Sequence, residues 1–158
     1  MPSILLIEDT PEMQRVYQFG LEHEGFSVEV VGSAGEGLTH VESGHYDIIL
    51  LDLMLMGMSG LDFLAQSNIR AKAPATKVVV LTNVDNPEIV ERVKAHGVDG
   101  YLVKSNTDPT QVATYLKQLL AGTAPATDPT APPPPHGAEP PVPGADPAAP
   151  APPAPPTA

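Results

Sequence analysis

Five short apolar runs, separated by stretches of helical periodicity, constrain this chain more than any other feature. The runs are Ile4-Leu5-Leu6-Ile7, Val28 to Val31, Ile48-Ile49-Leu50-Leu51, Val78-Val79-Val80-Leu81 and Tyr101-Leu102-Val103. The first, third and fourth are continuous, as strands buried on both faces should be. Between the runs the period changes. Met13, Val16, Tyr17, Gly20 and Leu21 follow i, i+3, i+4, i+7, i+8 spacing, and so do Val112, Tyr115, Leu116, Leu119 and Leu120. Thr10-Pro11, Asn86-Pro87 and Asp108-Pro109 each place a capping side chain before a proline at the first helical position. Gly25, Gly44 and Gly97 stand where helices should end. The spacing predicts helices near 11–24, 34–43, 60–72, 86–96 and 108–120.

Strand and helix therefore alternate five times. Buried strands in that alternation make a parallel sheet with helices on both faces. Right-handed crossovers leave few topologies. Five units fit an α/β, doubly wound, five-stranded parallel sheet in the flavodoxin-like order 2-1-3-4-5.

The pattern stops at residue 120, and so does the composition. Of the 20 prolines, 15 fall in residues 121–158, a stretch rich in Ala and Pro with no Lys or Arg. Such a segment buries too little apolar surface to offset its ordering entropy. The expectation is a domain over residues 1–120 and a disordered Pro/Ala-rich tail over 121–158. Pro129-x-x-Pro132 and Pro132-x-x-Pro135 fit a docking spacing, but no basic residue flanks them to orient a ligand.

Charge excludes several classes. The chain carries 19 acidic and 8 basic residues, a net charge of -11. That balance disfavours nucleic acid and anionic membranes as partners. Arg92, Lys94 and Lys117 are too sparse for a nucleic-acid surface. There is no cysteine, which removes disulfides, thiolate zinc sites and a catalytic Cys. The apolar stretch Ile48 to Met58 is interrupted by Asp52 and too short to cross a bilayer. Met1 to Ile7 has no positive n-region, so the expected location is cytoplasmic.

In a sheet of this order the functional crevice lies outside the carboxyl ends of the strands. Strand 1 ends in Glu8-Asp9, strand 3 in Asp52, strand 4 in Thr82-Asn83 and strand 5 in Lys104-Ser105. Strands 1 and 3 are neighbours, so three carboxylates crowd one place. Crowded carboxylates repel unless a cation is present. Oxygen ligands without His or Cys suit Mg²⁺, with Mn²⁺ as the alternative. A lysine and a hydroxyl opposite can hold phosphoryl oxygens. The set fits phosphoryl transfer to a carboxylate.

With these residues in place, the chain resembles a response-regulator receiver domain of two-component signalling. The matching strings are Ile7-Glu8-Asp9, Asp52 through Gly60, Leu81-Thr82 and Gly100-Tyr101-Leu102-Val103-Lys104. The resemblance implies that Asp52 is the phosphoacceptor. It implies that Glu8, Asp9 and the backbone carbonyl of Met54 hold Mg²⁺ together with Asp52, Asp9 directly and Glu8 through water. Thr82 and Lys104 would contact the phosphoryl group. Tyr101 would be an aromatic switch that turns inward when Thr82 moves. The donor would be a sensor histidine kinase or a histidine phosphotransfer protein. The readout would be a protein contact on the face of the fourth helix, fifth strand and fifth helix. No enzymatic activity is implied beyond self-phosphorylation and autodephosphorylation. Met56 and Ser105 stand where the family usually has proline, and Asn83 where it usually has a small residue.

No second domain follows Leu120, so the expectation is a stand-alone receiver. A phosphorylation-independent scaffold on the same fold is the alternative. A haloacid-dehalogenase-like phosphatase would need a second Asp two residues after its nucleophile, where Met54 stands. His40 and His45 have a spacing seen in zinc sites but no nearby Cys or third His, and Asp47, Asp62 and Asp99 read as caps or solvated faces. The run Met54, Met56, Met58 reads as loop packing, with a soft partner surface as the alternative.

Overall fold

In the computed structural model, which describes residues 1–84 and 86–122, the five apolar runs are strands of one parallel sheet. They are β1 (Ser3–Ile7), β2 (Ser27–Val31), β3 (Ile48–Leu51), β4 (Lys77–Thr82) and β5 (Gly100–Val103). Their order is β2-β1-β3-β4-β5, as the sequence predicted. The helices are α1 (Pro11–His23), α2 (Ala34–Ser43), α3 (Gly60–Ser67), α4 (Ile69–Lys72), α5 (Pro87–Ala95) and α6 (Pro109–Leu120). The tail expected over 121–158 lies outside the described residues from position 123 onward.

Alternation along each strand divides the core in two. Leu5, Ile7, Ile49, Leu51, Val78, Val80, Tyr101 and Val103 face one side, packed on Phe63 and Leu64 of α3 and Val90 and Val93 of α5. Ile4, Leu6, Ile48, Leu50, Val79, Leu81 and Leu102 face the other, against Tyr17 and Leu21 of α1 and Val112 and Leu116 of α6. Each such side chain taken from water contributes roughly 1.5–3 kcal/mol. Both faces of the three inner strands are thus committed, which explains their continuous apolar runs. Edge strand β2 keeps Ser27 and Glu29 exposed.

Two local expectations need correction. The helix expected over 60–72 is two helices, because Asn68 adopts a left-handed conformation (φ 47°) that ends α3 and starts α4. Asn tolerates that conformation better than most side chains do. The fourth and fifth helices of the sequence reading are therefore α5 and α6. Thr10 precedes α1 without a side-chain cap, and its hydroxyl donates to Asp9 Oδ1 at 3.3 Å. Asn86 and Asp108 do cap, Asp108 in a reciprocal pair with Gln111. Asp62 caps α3 with Ser59. Asp47 accepts from the Ser3 N–H at 2.7 Å, and Asp99 pairs with Arg70 at 2.5 Å. Among the described residues no helix is long and apolar enough to cross a membrane.

Candidate functional site

The sheet register builds the site. Ile7 and Leu51 are paired as the last residues of adjacent strands β1 and β3, and the next residues are Glu8 and Asp52. The ladder continues for one bond, from Asp52 N–H to Ile7 O at 3.1 Å. Thr82 and Val103 are paired on β4 and β5, and Lys104 follows. Three charged side chains, Glu8, Asp52 and Lys104, are therefore delivered to one edge of the sheet.

Glu8, Asp9 and Asp52 each bring a carboxylate oxygen within 4.8 Å of the others. Glu8 and Asp52 are buried. Lys104, whose side chain is 8% exposed, reaches past β4 to donate to Asp52 Oδ2 at 2.8 Å and to Glu8 Oε2. Backbone N–H groups take other lone pairs. Thr10 donates to Glu8 Oε1 at 3.2 Å, Met54 to Asp52 Oδ1 at 3.0 Å and Met56 to Asp9 Oδ2 at 3.1 Å.

Burial pushes the Glu8 carboxyl above the ordinary carboxylate range, and the Asp52 charge adds to this while Lys104 opposes it. Burial alone would lower Lys104. Its hydrogen bonds to Asp52 and Glu8 outweigh that, and the ammonium is held above the usual lysine value. Three carboxylates against one ammonium leave two negative charges uncompensated. An oxygen-only set with that deficit is suited to a hard divalent cation.

Thr82 is buried, and its hydroxyl accepts from the Val84 N–H at 3.4 Å. The Tyr101 ring is buried too, with its hydroxyl donating to Val84 O. The inward position expected to follow a movement of Thr82 is thus the one the ring occupies here. No peptide bond among the described residues is cis, so Lys104-Ser105 is trans. His40 lies with Glu29 and Tyr46, at 3.1 and 3.2 Å, and His45 is exposed. Neither belongs to the acidic group.

Two contributors were not legible in the sequence. Gln14, in the first turn of α1, donates from Nε2 to Glu8 O at 2.6 Å and fixes the backbone between the two acids. A polar side chain between Met13 and Tyr17, beside Arg15, gives no cue to that bond. Gly60 lies so close to the β3 end that a Cβ there would meet Asp52 O at 2.5 Å and Leu53 Cα at 2.7 Å. Its place at the start of α3 carries no sign of that approach.

Comparison with known proteins points one way. The family model described as the response regulator receiver domain matches residues 4–117. The uncharacterized transcriptional regulatory protein YkoG of Bacillus subtilis is 38% identical over 119 residues, 75% of this chain and 49% of that protein. The chain spans about half the length of the curated relatives it matches. Among solved structures, a CheY-like response regulator receiver domain protein from Methanospirillum hungatei superposes with a TM-score of 0.72 at 26% identity, covering 78% of this chain and 96% of that one. The response regulator protein TrrA of Thermotoga maritima, solved in complex with Mg(2+)-BeF, gives 0.65 at 28% identity, covering 76% of this chain and 100% of that one.

Proposed function

Because this chain belongs to the response regulator receiver domain family, we propose that it accepts a phosphoryl group on Asp52 and signals through the resulting change in protein contacts. The observation that carries the reading is the convergence of Glu8, Asp9, Asp52 and Lys104 at one strand edge, where buried negative charge exceeds positive. Unmatched buried charge costs stability and is retained where chemistry uses it.

The donor is a phosphohistidine on a sensor histidine kinase or a phosphotransfer protein. Asp52 attacks phosphorus, the P–N bond breaks, and the imidazole leaves with the bonding pair and takes up a proton. Lys104 donates to an equatorial oxygen, and the Thr82 hydroxyl turns from Val84 to another. Asp9, Asp52, the Met54 carbonyl and, through water, Glu8 would hold Mg²⁺, which when bound supplies charge neutralisation at the phosphoryl oxygens. TrrA, crystallised with Mg(2+)-BeF, supports that ion. Val84 links Thr82 to Tyr101, since its N–H serves the hydroxyl of one and its C=O that of the other. A shift of Thr82 therefore biases the face of α5, β5 and α6, the readout surface. Transcriptional regulators among the relatives, including the DNA-binding response regulator MtrA of Mycolicibacterium smegmatis, carry their own names' functions on longer proteins, of which the matched segment is about half or less.

The test uses Mg²⁺ and acetyl phosphate. The chain should gain one phosphoryl group by mass, and Asp52→Asn should gain none. A folded wild-type protein that stays unmodified would overturn the reading and leave a phosphorylation-independent scaffold.

A further inference from the structure

The loop that follows Asp52 presents more sulfur to solvent than its packing requires. Met54, Met56 and Met58 alternate with Leu55 and Gly57. Leu55 is buried and Met58 packs on the core, while Met54 and Met56 are 67% and 85% exposed. Both exposed residues are tied by their backbones to the acidic pocket, Met54 N–H to Asp52 Oδ1 at 3.0 Å and Met56 N–H to Asp9 Oδ2 at 3.1 Å. Their backbones are therefore anchored at its rim, and their side chains are open to solvent.

The rest of the sulfur sets the contrast. The chain has 5 methionines and no cysteine, so no thiol competes for an oxidant. Met13 is partly buried against the core between the sheet and helices α1 and α6. Met1 is exposed but precedes β1, at the sheet edge opposite the carboxylates.

We propose that Met54 and Met56 form a peroxide-sensitive site that sets how long a phosphoryl group on Asp52 survives. The proposal rests on Asp52 being the phosphoacceptor. The oxidant class is hydrogen peroxide or an organic hydroperoxide. A thioether lone pair attacks the outer peroxide oxygen. The S–O bond forms as the O–O bond breaks, and the proton of the transferred oxygen passes to the leaving oxygen, which departs as water or an alcohol. Sulfur loses two electrons and the peroxide gains them, leaving a sulfoxide.

The consequence follows from polarity. A thioether excludes water and accepts hydrogen bonds weakly, whereas a sulfoxide oxygen accepts them strongly. Two residues from Asp52, that oxygen holds a water beside the acyl phosphate, and water is the nucleophile that hydrolyses it. Oxidation therefore shortens the signal. Because sulfoxide reductases restore the thioether, the shortening is reversible.

The experiment uses the full chain. Dilute hydrogen peroxide is applied, oxidation is mapped by peptide mass, and decay of acetyl-phosphate-derived Asp52 phosphate is followed before and after. Met54 and Met56 should gain oxygen ahead of Met13 and Met58. The phosphoryl lifetime should fall about fivefold, the effect of one added hydrogen bond to the attacking water. Treatment with methionine sulfoxide reductases should restore it. The Met54→Leu/Met56→Leu variant sets its own baseline, and peroxide should leave that baseline unmoved. Equal oxidation of Met13, an unchanged lifetime, or the same shortening in the double variant overturns the proposal. A chain that takes up no phosphoryl group before peroxide is added overturns the phosphoacceptor reading instead.

Discussion

Glu8 is the residue at which folding and chemistry oppose each other. Its carboxyl is held above the ordinary range by burial, so the folded state binds its proton more tightly than the unfolded chain does. Between the ordinary and the raised value, folding takes up protons and stability falls as pH rises; above that window the cost is present in full. Glu8→Gln should therefore raise Tm at pH 7 without divalent cations by about 3–6 °C, equivalent to roughly 1 kcal/mol in a domain this size. Thermal unfolding of both proteins across pH 4–8 checks it, and the gap should close at the acid end. Lys104 has the opposite sign. Its raised value means that its contribution is complete below the usual lysine range and lost only as pH climbs through the folded value. Lys104→Ala leaves two buried carboxylates unmatched and should cost about 3 kcal/mol by urea unfolding, with much of that recovered in Glu8→Gln/Lys104→Ala. The charges themselves were legible in the sequence, because each directly follows an apolar run. Gln14 was not, since its bond to Glu8 O depends on how α1 leaves β1.

At the level of elements, identical signals had different outcomes. Thr10-Pro11, Asn86-Pro87 and Asp108-Pro109 all read as caps, and only the last two are. Thr10 is diverted because Asp9, immediately before it, offers a carboxylate to its hydroxyl. Asp108→Ala should then cost about 1 kcal/mol by thermal or urea unfolding, and Thr10→Ala only a few tenths of that. The helix expected over 60–72 looked continuous because periodicity registers apolar spacing and not a single φ. Asn68 breaks it, and the break lets α4 place Arg70 against Asp99 and the Thr76 carbonyl, at 2.5 and 3.3 Å. Asn68→Ala should destabilise by about 1 kcal/mol, while Asn68→Gly stays within about 0.5 kcal/mol, because glycine loses the left-handed penalty but gains freedom in the unfolded chain. Gly60 differs again. The two nearest atoms its Cβ would meet are backbone, which cannot swing away, so Gly60→Ala should lower both Tm and the rate of phosphoryl uptake.

For the whole molecule, the sheet order is what makes the acidic site possible. Order β2-β1-β3-β4-β5 puts the ends of β1 and β3 side by side, and the committed core on both faces keeps them there. That much was readable from five apolar runs, because double-sided burial leaves a parallel sheet few arrangements. A rigid scaffold holding two uncompensated negative charges should respond to a divalent cation as a ligand that binds the folded state alone. The stabilisation then grows as RT ln(1 + [Mg²⁺]/Kd), about 2.7 kcal/mol at one hundred times Kd. Titrating MgCl₂ at constant ionic strength should raise Tm steadily, while matched NaCl should not. Asp9→Asn removes one carboxylate from the cluster without touching Lys104 and should abolish most of the rise. The effect should also fade as pH falls. Ligands must be deprotonated to bind, and Glu8 reprotonates above the ordinary carboxylate range, so the Mg²⁺-dependent gain should shrink before Asp or Glu of usual affinity would titrate. A Tm that ignores Mg²⁺ at pH 7.5, or that rises equally in Asp9→Asn, would place the cation elsewhere on this acidic surface and not in the crevice at the ends of β1 and β3.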